Sequence, residues 1–130
     1  MSRTIDLNTD FGEGYSVYAY PMQVWRAEFE NGGSTSPSLV EPYDPAFVLE
    51  RISSINLACG FHGGDPLIIK RYIELAKKYG CHVGAHPSFP DLQGFGNRYM
   101  ELTDSELKAM LQYQIGALEG LLGIEKMNLN

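Results

Sequence analysis

Residues 55–66 read INLACGFHGGDP, and their first eight decide the fold. Side chains of a strand point alternately to its two faces. Ile55, Leu57, Cys59 and Phe61 therefore share one face, and Asn56, Ala58, Gly60 and His62 the other. Two more runs alternate in the same way. Asp6, Asn8 and Asp10 interleave with Ile5 and Leu7, and His82, Gly84 and His86 with Val83 and Ala85. The wet face of an ordinary half-exposed strand carries Lys, Glu, Thr or Ser. Asn, Asp and His with small spacers suit a crowded interior that holds a reaction site, and the pattern points to an enzyme.

Working outward, TIDLN at 4–8 reads as the first strand and DFGEG at 10–14 as a turn. Residues 19–43 read as a long loop or insertion, with Asn31-Gly32-Gly33, the run STSPS at 34–38, and a short helix over 21–30. Asp44-Pro45 starts a helix expected to reach Ser53, and the second strand follows at 55–59. Asp65-Pro66 repeats the start signal and Gly80 supplies the stop. Ile68, Ile69, Tyr72, Ile73, Leu75, Ala76 and Tyr79 then form one helix face, with Lys70, Arg71, Glu74, Lys77 and Lys78 opposite. A strand over 82–85 leads into the Gly/Pro-rich loop 87–98. Thr103 and Glu106 form a capping box opening a helix to Leu122, with Leu107, Leu111, Ile115, Leu118 and Leu122 as its buried stripe.

Strand and helix alternate three times, the order of parallel α/β structure. In an open doubly wound sheet helices would cover both faces and both would be apolar. Here one face is polar, which favours a parallel (β/α) barrel with that face inward. A complete barrel needs about 250 residues. The expectation is thus a single partial barrel domain over 1–130, roughly the N-terminal half.

The formal charge of −6 argues against nucleic acid and anionic membrane as partners. No run approaches a membrane helix and the start lacks a signal-peptide stretch, so a cytoplasmic protein is the expectation. Cys59 and Cys81 lack CxxC spacing and read as reduced, buried thiols, with zinc bound by Cys and His as the lesser reading.

Reactive groups of parallel barrels gather at the carboxyl ends of the strands. Asp10, His62 and His86 sit there and form the expected catalytic centre, a ligand set suited to a divalent metal. The alternative is that each His donates to a backbone carbonyl and only lines the pocket. His82 is excluded, lying roughly 13 Å from His86 along an extended strand. Glu13 is a further catalytic candidate as general acid or base. Asp65 is read as a general acid or base, as a substrate contact, or as a helix N-cap. Asn8 and Asn56 face the site as substrate contacts, and Gly63 allows close approach of backbone amides to a small-molecule substrate. Arg98 is read either as a partner for a substrate carboxylate or as an exposed, solvated arginine.

The strings IDLNTDFGEG, INLACGFHGGDP, GAHPSFPDLQGFGNR and YQIGAL resemble the LamB/YcsF family over about residues 4–18 and 52–122. The resemblance implies a barrel-like fold related to glycoside hydrolases and polysaccharide deacetylases. It also implies ATP-dependent opening of the cyclic amide 5-oxoproline to L-glutamate, as the first of three components of a 5-oxoprolinase, working with subunits B and C. ATP use would fall to those partners, and this chain carries no GxxxxGK[ST] phosphate loop. The first component would hold the activated ring while Asp10, Glu13 or a water on a metal drives C–N cleavage. The chain departs from the family pattern at Thr9 and Asn97, where Cys and Arg are frequent, and in its longer 19–43 segment. It also ends at GIEKMNLN, where the family continues into a KPHGALY-like strand end, which leaves three alternatives: a fragment, a chain completed by a complementing C-terminal half, or a homodimer. Two other readings stay open: a metal-dependent deacetylase or amidohydrolase on another small substrate, and a non-catalytic half-barrel that binds or assembles.

Overall fold

Three parallel strands carry the polar residues to one edge of a sheet. The computed structural model describes residues 5–14 and 44–130, and the expected insertion at 19–43 with its helix at 21–30 lies outside them. The elements in chain order are β1 (Asn8–Phe11), α1 (Pro45–Leu49), β2 (Ser54–Ala58), α2 (Pro66–Tyr79), β3 (His82–His86) and α3 (Asp104–Ile124). The sheet order is β1-β2-β3, with Asp10 beside Asn56 and Asn56 beside Gly84. This is the expected α/β class with a parallel sheet. No helix among the described residues is long and apolar enough to cross a membrane.

Helix α2 forms as its signals require. The Asp65 carboxylate accepts from the Leu67 and Ile68 amides, Pro66 occupies the first turn, and Gly80 closes the helix at φ 71°. That left-handed conformation carries no steric penalty only for glycine. Ile68, Ile69, Tyr72, Ile73 and Ala76 are buried against the sheet, while Lys77 and Lys78 sit at the negative end of the helix dipole. The capping box of α3 is present in both directions, between Thr103 and Glu106.

Two expected boundaries are wrong for a physical reason. The first strand is Asn8–Phe11 rather than 4–8, so Asp10 lies in the strand and not in a turn. Ile5 and Leu7 are exposed, whereas Phe11 is buried and its ring packs 5.2 Å from that of Tyr72. Apolar alternation at 5 and 7 marked a strand, but the register with β2 decides which residues reach the core. Helix α1 stops at Leu49 instead of Ser53 because the Ser53 backbone is already in use by the sheet. Its N–H donates to the Leu7 carbonyl at 2.9 Å and its carbonyl accepts from the His82 N–H at 2.8 Å. The other strand ends shift by one residue, to 54–58 and 82–86.

Phe11, Ile55, Leu57 and Val83 face the helices, and with Leu49, Ile73, Leu118 and Leu122 they build the core. Cys59 and Cys81 are buried free thiols, as expected, with the Cys81 Sγ donating to the Leu49 carbonyl at 3.4 Å. The stripe of α3 is only half buried. Leu118 and Leu122 are in the core, but Leu107 is 39% exposed and Leu111 and Ile115 are partly covered. Near the end of the described chain, Leu129 makes a parallel bridge to Val83, and the Asn130 N–H donates to the Val83 carbonyl at 2.9 Å.

The two ends of α3 should respond differently to the same truncation. Leu118→Ala should cost about 3 kcal/mol by urea denaturation, as is usual for an emptied core site. Leu107→Ala should cost under about 1 kcal/mol. Equal losses would show that the first turns of α3 are packed as tightly as the last.

Candidate active site at the carboxyl end of the sheet

The polar face of the sheet is a hydrogen-bonded row. The Ser54 hydroxyl donates to Asp6 at 2.8 Å and accepts from the Asn8 amide at 2.8 Å. The Asn56 amide donates to Asn8 Oδ1 at 2.7 Å and to Asp10 Oδ1 at 3.0 Å. Gly84 gives this row its room, since a Cβ there would lie 3.2 Å from Asn56 Oδ1. Asn8 and Asn56, expected as substrate contacts, thus hold one another, and Asn56 orients Asp10.

Beyond β2 the chain leaves strand geometry. His62 reaches the site from a turn closed by the Gly60 N–H on the Gly63 carbonyl at 3.0 Å, not from an extended strand. This turn packs backbone to backbone against the turn after β1. A Cβ at Gly63 would lie 2.8 Å from the Glu13 carbonyl oxygen, and one at Gly64, φ 83°, would lie 2.7 Å from that of Gly12. Gly63 was expected to admit a ligand, but its close approach is to Glu13. Any larger residue would wedge the turns apart.

The contact brings the charged groups together. Glu13 Oε1 lies 3.1 Å from Nε2 of His62, whose side chain is 2% exposed. His86 Nδ1 lies 3.6 Å from Asp10 and 3.7 Å from Glu13, and the two imidazole rings are 4.6 Å apart. Ligand atoms of Glu13, His62 and His86 all fall within 4.8 Å of one another. The carboxylate completing this group is therefore Glu13 rather than the expected Asp10, which stands beside His86. The Cys thiols are outside it. Burial pushes both above the usual thiol range, and only a thiolate ligates metal well.

The other expected residues have local partners. Asp65 caps α2, the alternative named for it from sequence. Arg98 directs Nε and Nη2 at Asp91, with Nε 2.8 Å from Oδ1. Asp91 is buried and also accepts from the Gly94 and Arg98 amides, at 2.9 and 3.2 Å. Chiefly through the Arg98 side chain, its carboxyl is lowered to about 2.

Sequence reasoning missed the residues that hold loop 87–98 over the histidines. Gln114 is fully buried. Its Oε1 accepts from the Ser88 N–H at 3.0 Å, and its Nε2 donates to the Ser88 carbonyl at 2.9 Å and to that of Met110 at 3.2 Å. A signal existed, because Gln114 lies at stripe spacing from Leu111 and Leu118, where a buried polar group must find partners. Phe95 meets the His62 ring edge-on, with centroids 5.2 Å apart. The resulting cleft has a volume of about 570 Å³. Asp10, Glu13, His62 and His86 line it together with the apolar Phe89, Phe95, Leu107 and Leu111.

The chain that carries this site has relatives. Residues 39–130 match the LamB/YcsF family. The chain belongs to the LamB/YcsF family. It is 41% identical over 123 residues to the A component of the 5-oxoprolinase of Geobacillus kaustophilus, covering 95% of this chain and 39% of that protein. It is 45% identical over 115 residues to the corresponding 5-oxoprolinase component of Clostridium beijerinckii, covering 88% of this chain and 36% of the other. The crystal structure of the lactam utilization protein from Thermus thermophilus superposes with a TM-score of 0.76 at 41% identity, covering 98% of this chain and 43% of that one. This LamB/YcsF chain thus spans about 40% of the length of the relatives it matches.

The Asp91 clasp sets an acid limit on loop order. Its carboxyl is held at about 2 in the folded chain, against about 4 for an unfolded aspartate. The clasp's stabilisation is complete above about pH 4 and lost as pH falls towards about 2. Hydrogen-exchange protection of the Gly94 and Arg98 amides, taken relative to the intrinsic rate at each pH, should fall over that window in the wild type. In Asp91→Asn it should be lost already at neutral pH. An unchanged profile would show that the clasp does not hold the loop.

Proposed function

We propose that this chain supplies one wall of the active site in the A component of a 5-oxoprolinase, which opens the 5-oxoproline lactam to L-glutamate. ATP would be consumed with partner subunits B and C. The observation that carries the reading is the Glu13–His62–His86 cluster at the carboxyl ends of parallel strands, in a chain whose relatives bear that name. Hydrolysing a cyclic amide requires water to add at the carbonyl, the C–N bond to break and the ring nitrogen to take a proton. Glu13 Oε1 and His62 Nε2 face each other at 3.1 Å. That pair is placed to take the proton from water and return it to nitrogen. Asp10, oriented by Asn56, sets a second carboxylate beside His86. A lactam is a stable amide, and phosphorylation of its oxygen by ATP would make the carbonyl carbon more electrophilic.

The cluster also fits a divalent cation. His86 Nδ1 is buried, near two carboxylates, and hydrogen-bonded to no group among the described residues. Glu13, His62 and His86 would hold the ion, with Asp10 at its side, and a bound cation would polarise the carbonyl as a Lewis acid. The same cluster keeps a second reading in play, a metal-dependent amidohydrolase or deacetylase that needs no ATP.

The whole protein is proposed as a parallel (β/α) barrel of the glycoside hydrolase and deacetylase type, with residues 1–130 as part of one domain. Consecutive strands that are neighbours, a polar row opposite the helix-packed face, and Leu129 bridging to the outer edge of β3 support this. The half-covered first turns of α3 are consistent with a further element packing there.

Glutamate release from 5-oxoproline, measured with ATP and with and without subunits B and C, tests the reading. Glu13→Gln, His62→Ala and His86→Ala should each lower the rate by about 100-fold or more. His82→Ala, at the far end of β3, should leave it unchanged. Turnover without ATP would favour the second reading. Full activity in His62→Ala would overturn both.

A further inference from the structure

Phe95 is a large apolar side chain that lies outside the core and is 47% exposed, yet its backbone is held in an unfavourable conformation. Its φ is 56°, in the left-handed region that a phenylalanine rarely adopts. Bonds on either side impose it. The Gly94 N–H donates to the Asp91 carboxylate and the Gly96 N–H to the Asp91 carbonyl, both at 2.9 Å. The tie is tight at Gly96, where a Cβ would lie 2.9 Å from the Cβ of His62. The outcome of this restraint is the ring edge set against His62, at an interplanar angle of 81°. Strained residues persist where the surroundings over-determine them, and they cluster at ligand sites.

The cleft has two kinds of lining. Glu13 and His86 present charge and hydrogen-bonding capacity, whereas Phe95 with Leu107 and Leu111 presents only carbon. We infer that Phe95 is a specificity-determining residue, its ring forming the apolar wall that takes the saturated carbon edge of a small ligand whose polar edge meets Glu13 and His86. The inference rests on the proposed lactam reading, for which the carbon edge is the two ring methylenes of 5-oxoproline. A ligand with a polar group in place of those methylenes would lose a hydrogen-bonding partner against this wall and bind less well.

Saturation-transfer NMR of 5-oxoproline with the full chain reads the contact directly. The ring methylene protons should receive the strongest transfer from wild-type protein. Phe95→Asn removes the ring while tolerating positive φ, and should reduce that transfer by about threefold or more as packing is lost. Phe95→Tyr keeps the ring and should retain it. Amide spectra of both variants should match the wild type outside loop 87–98. Unchanged methylene transfer in Phe95→Asn would overturn the role of Phe95 and leave the lactam reading standing. A loss in Phe95→Tyr as large as in Phe95→Asn would assign the effect to loop geometry and overturn it too. No transfer to 5-oxoproline from the wild type would overturn the lactam reading and this inference together.

Discussion

The site depends on a backbone-to-backbone contact between two turns. Gly63 and Gly64 lie against Glu13 and Gly12 so closely that a single methyl group on either would overlap a carbonyl oxygen. β1 and β2 are already fixed side by side by their ladder. The glycine contact extends that fixation past the strand ends, into segments that would otherwise drift. Glu13 and His62 then face each other at hydrogen-bonding distance, with His86 delivered by the neighbouring strand. Without the contact, the same residues would be two solvated loops and a strand end.

A second layer holds the cluster from above. Loop 87–98 is secured at its base by the Gln114 amide on the Ser88 backbone, and across its middle by Asp91 with Arg98. Gln114 is buried, where an unmet donor or acceptor carries a penalty of about 1–3 kcal/mol. These ties restrict the loop without filling it, so the cleft stays open below Phe95. The turns after β1 and β2 and the end of β3 position Glu13, His62 and His86, and the clasped loop positions Phe95.

The parts of this structure that are local in origin were legible beforehand. Helix α2 follows from Asp65, Pro66, an amphipathic stripe and Gly80, and the capping box of α3 from Thr103 and Glu106. The two faces of the sheet follow from period-two alternation. The start of β1 was misplaced because Ile5 and Leu7 alternate as well as Thr9 and Phe11 do, and only pairing with β2 separates them. The carboxylate beside both histidines was read as Asp10, since strand geometry was extended too far and a turn intervenes. Gln114 was passed over because Ile115, one residue along, is apolar.

The sequence by itself therefore determined which residue types occupy the polar face, where the long helices begin, and that the strands are parallel. Each is a matter of side-chain period, capping chemistry or connection length, acting over a few residues. Tertiary structure alone decided that Glu13 joins His62 and His86, that Arg98 turns to Asp91, and that Phe95 leans on His62. The first of those outcomes rests on close approaches between segments far apart in the chain, 49 residues for Glu13 and His62 and more for Glu13 and His86. Distance and orientation across such a gap are set by register and packing, which no local pattern encodes. The alternating polar run at 55–62 named the chemistry, and the fold chose the partners.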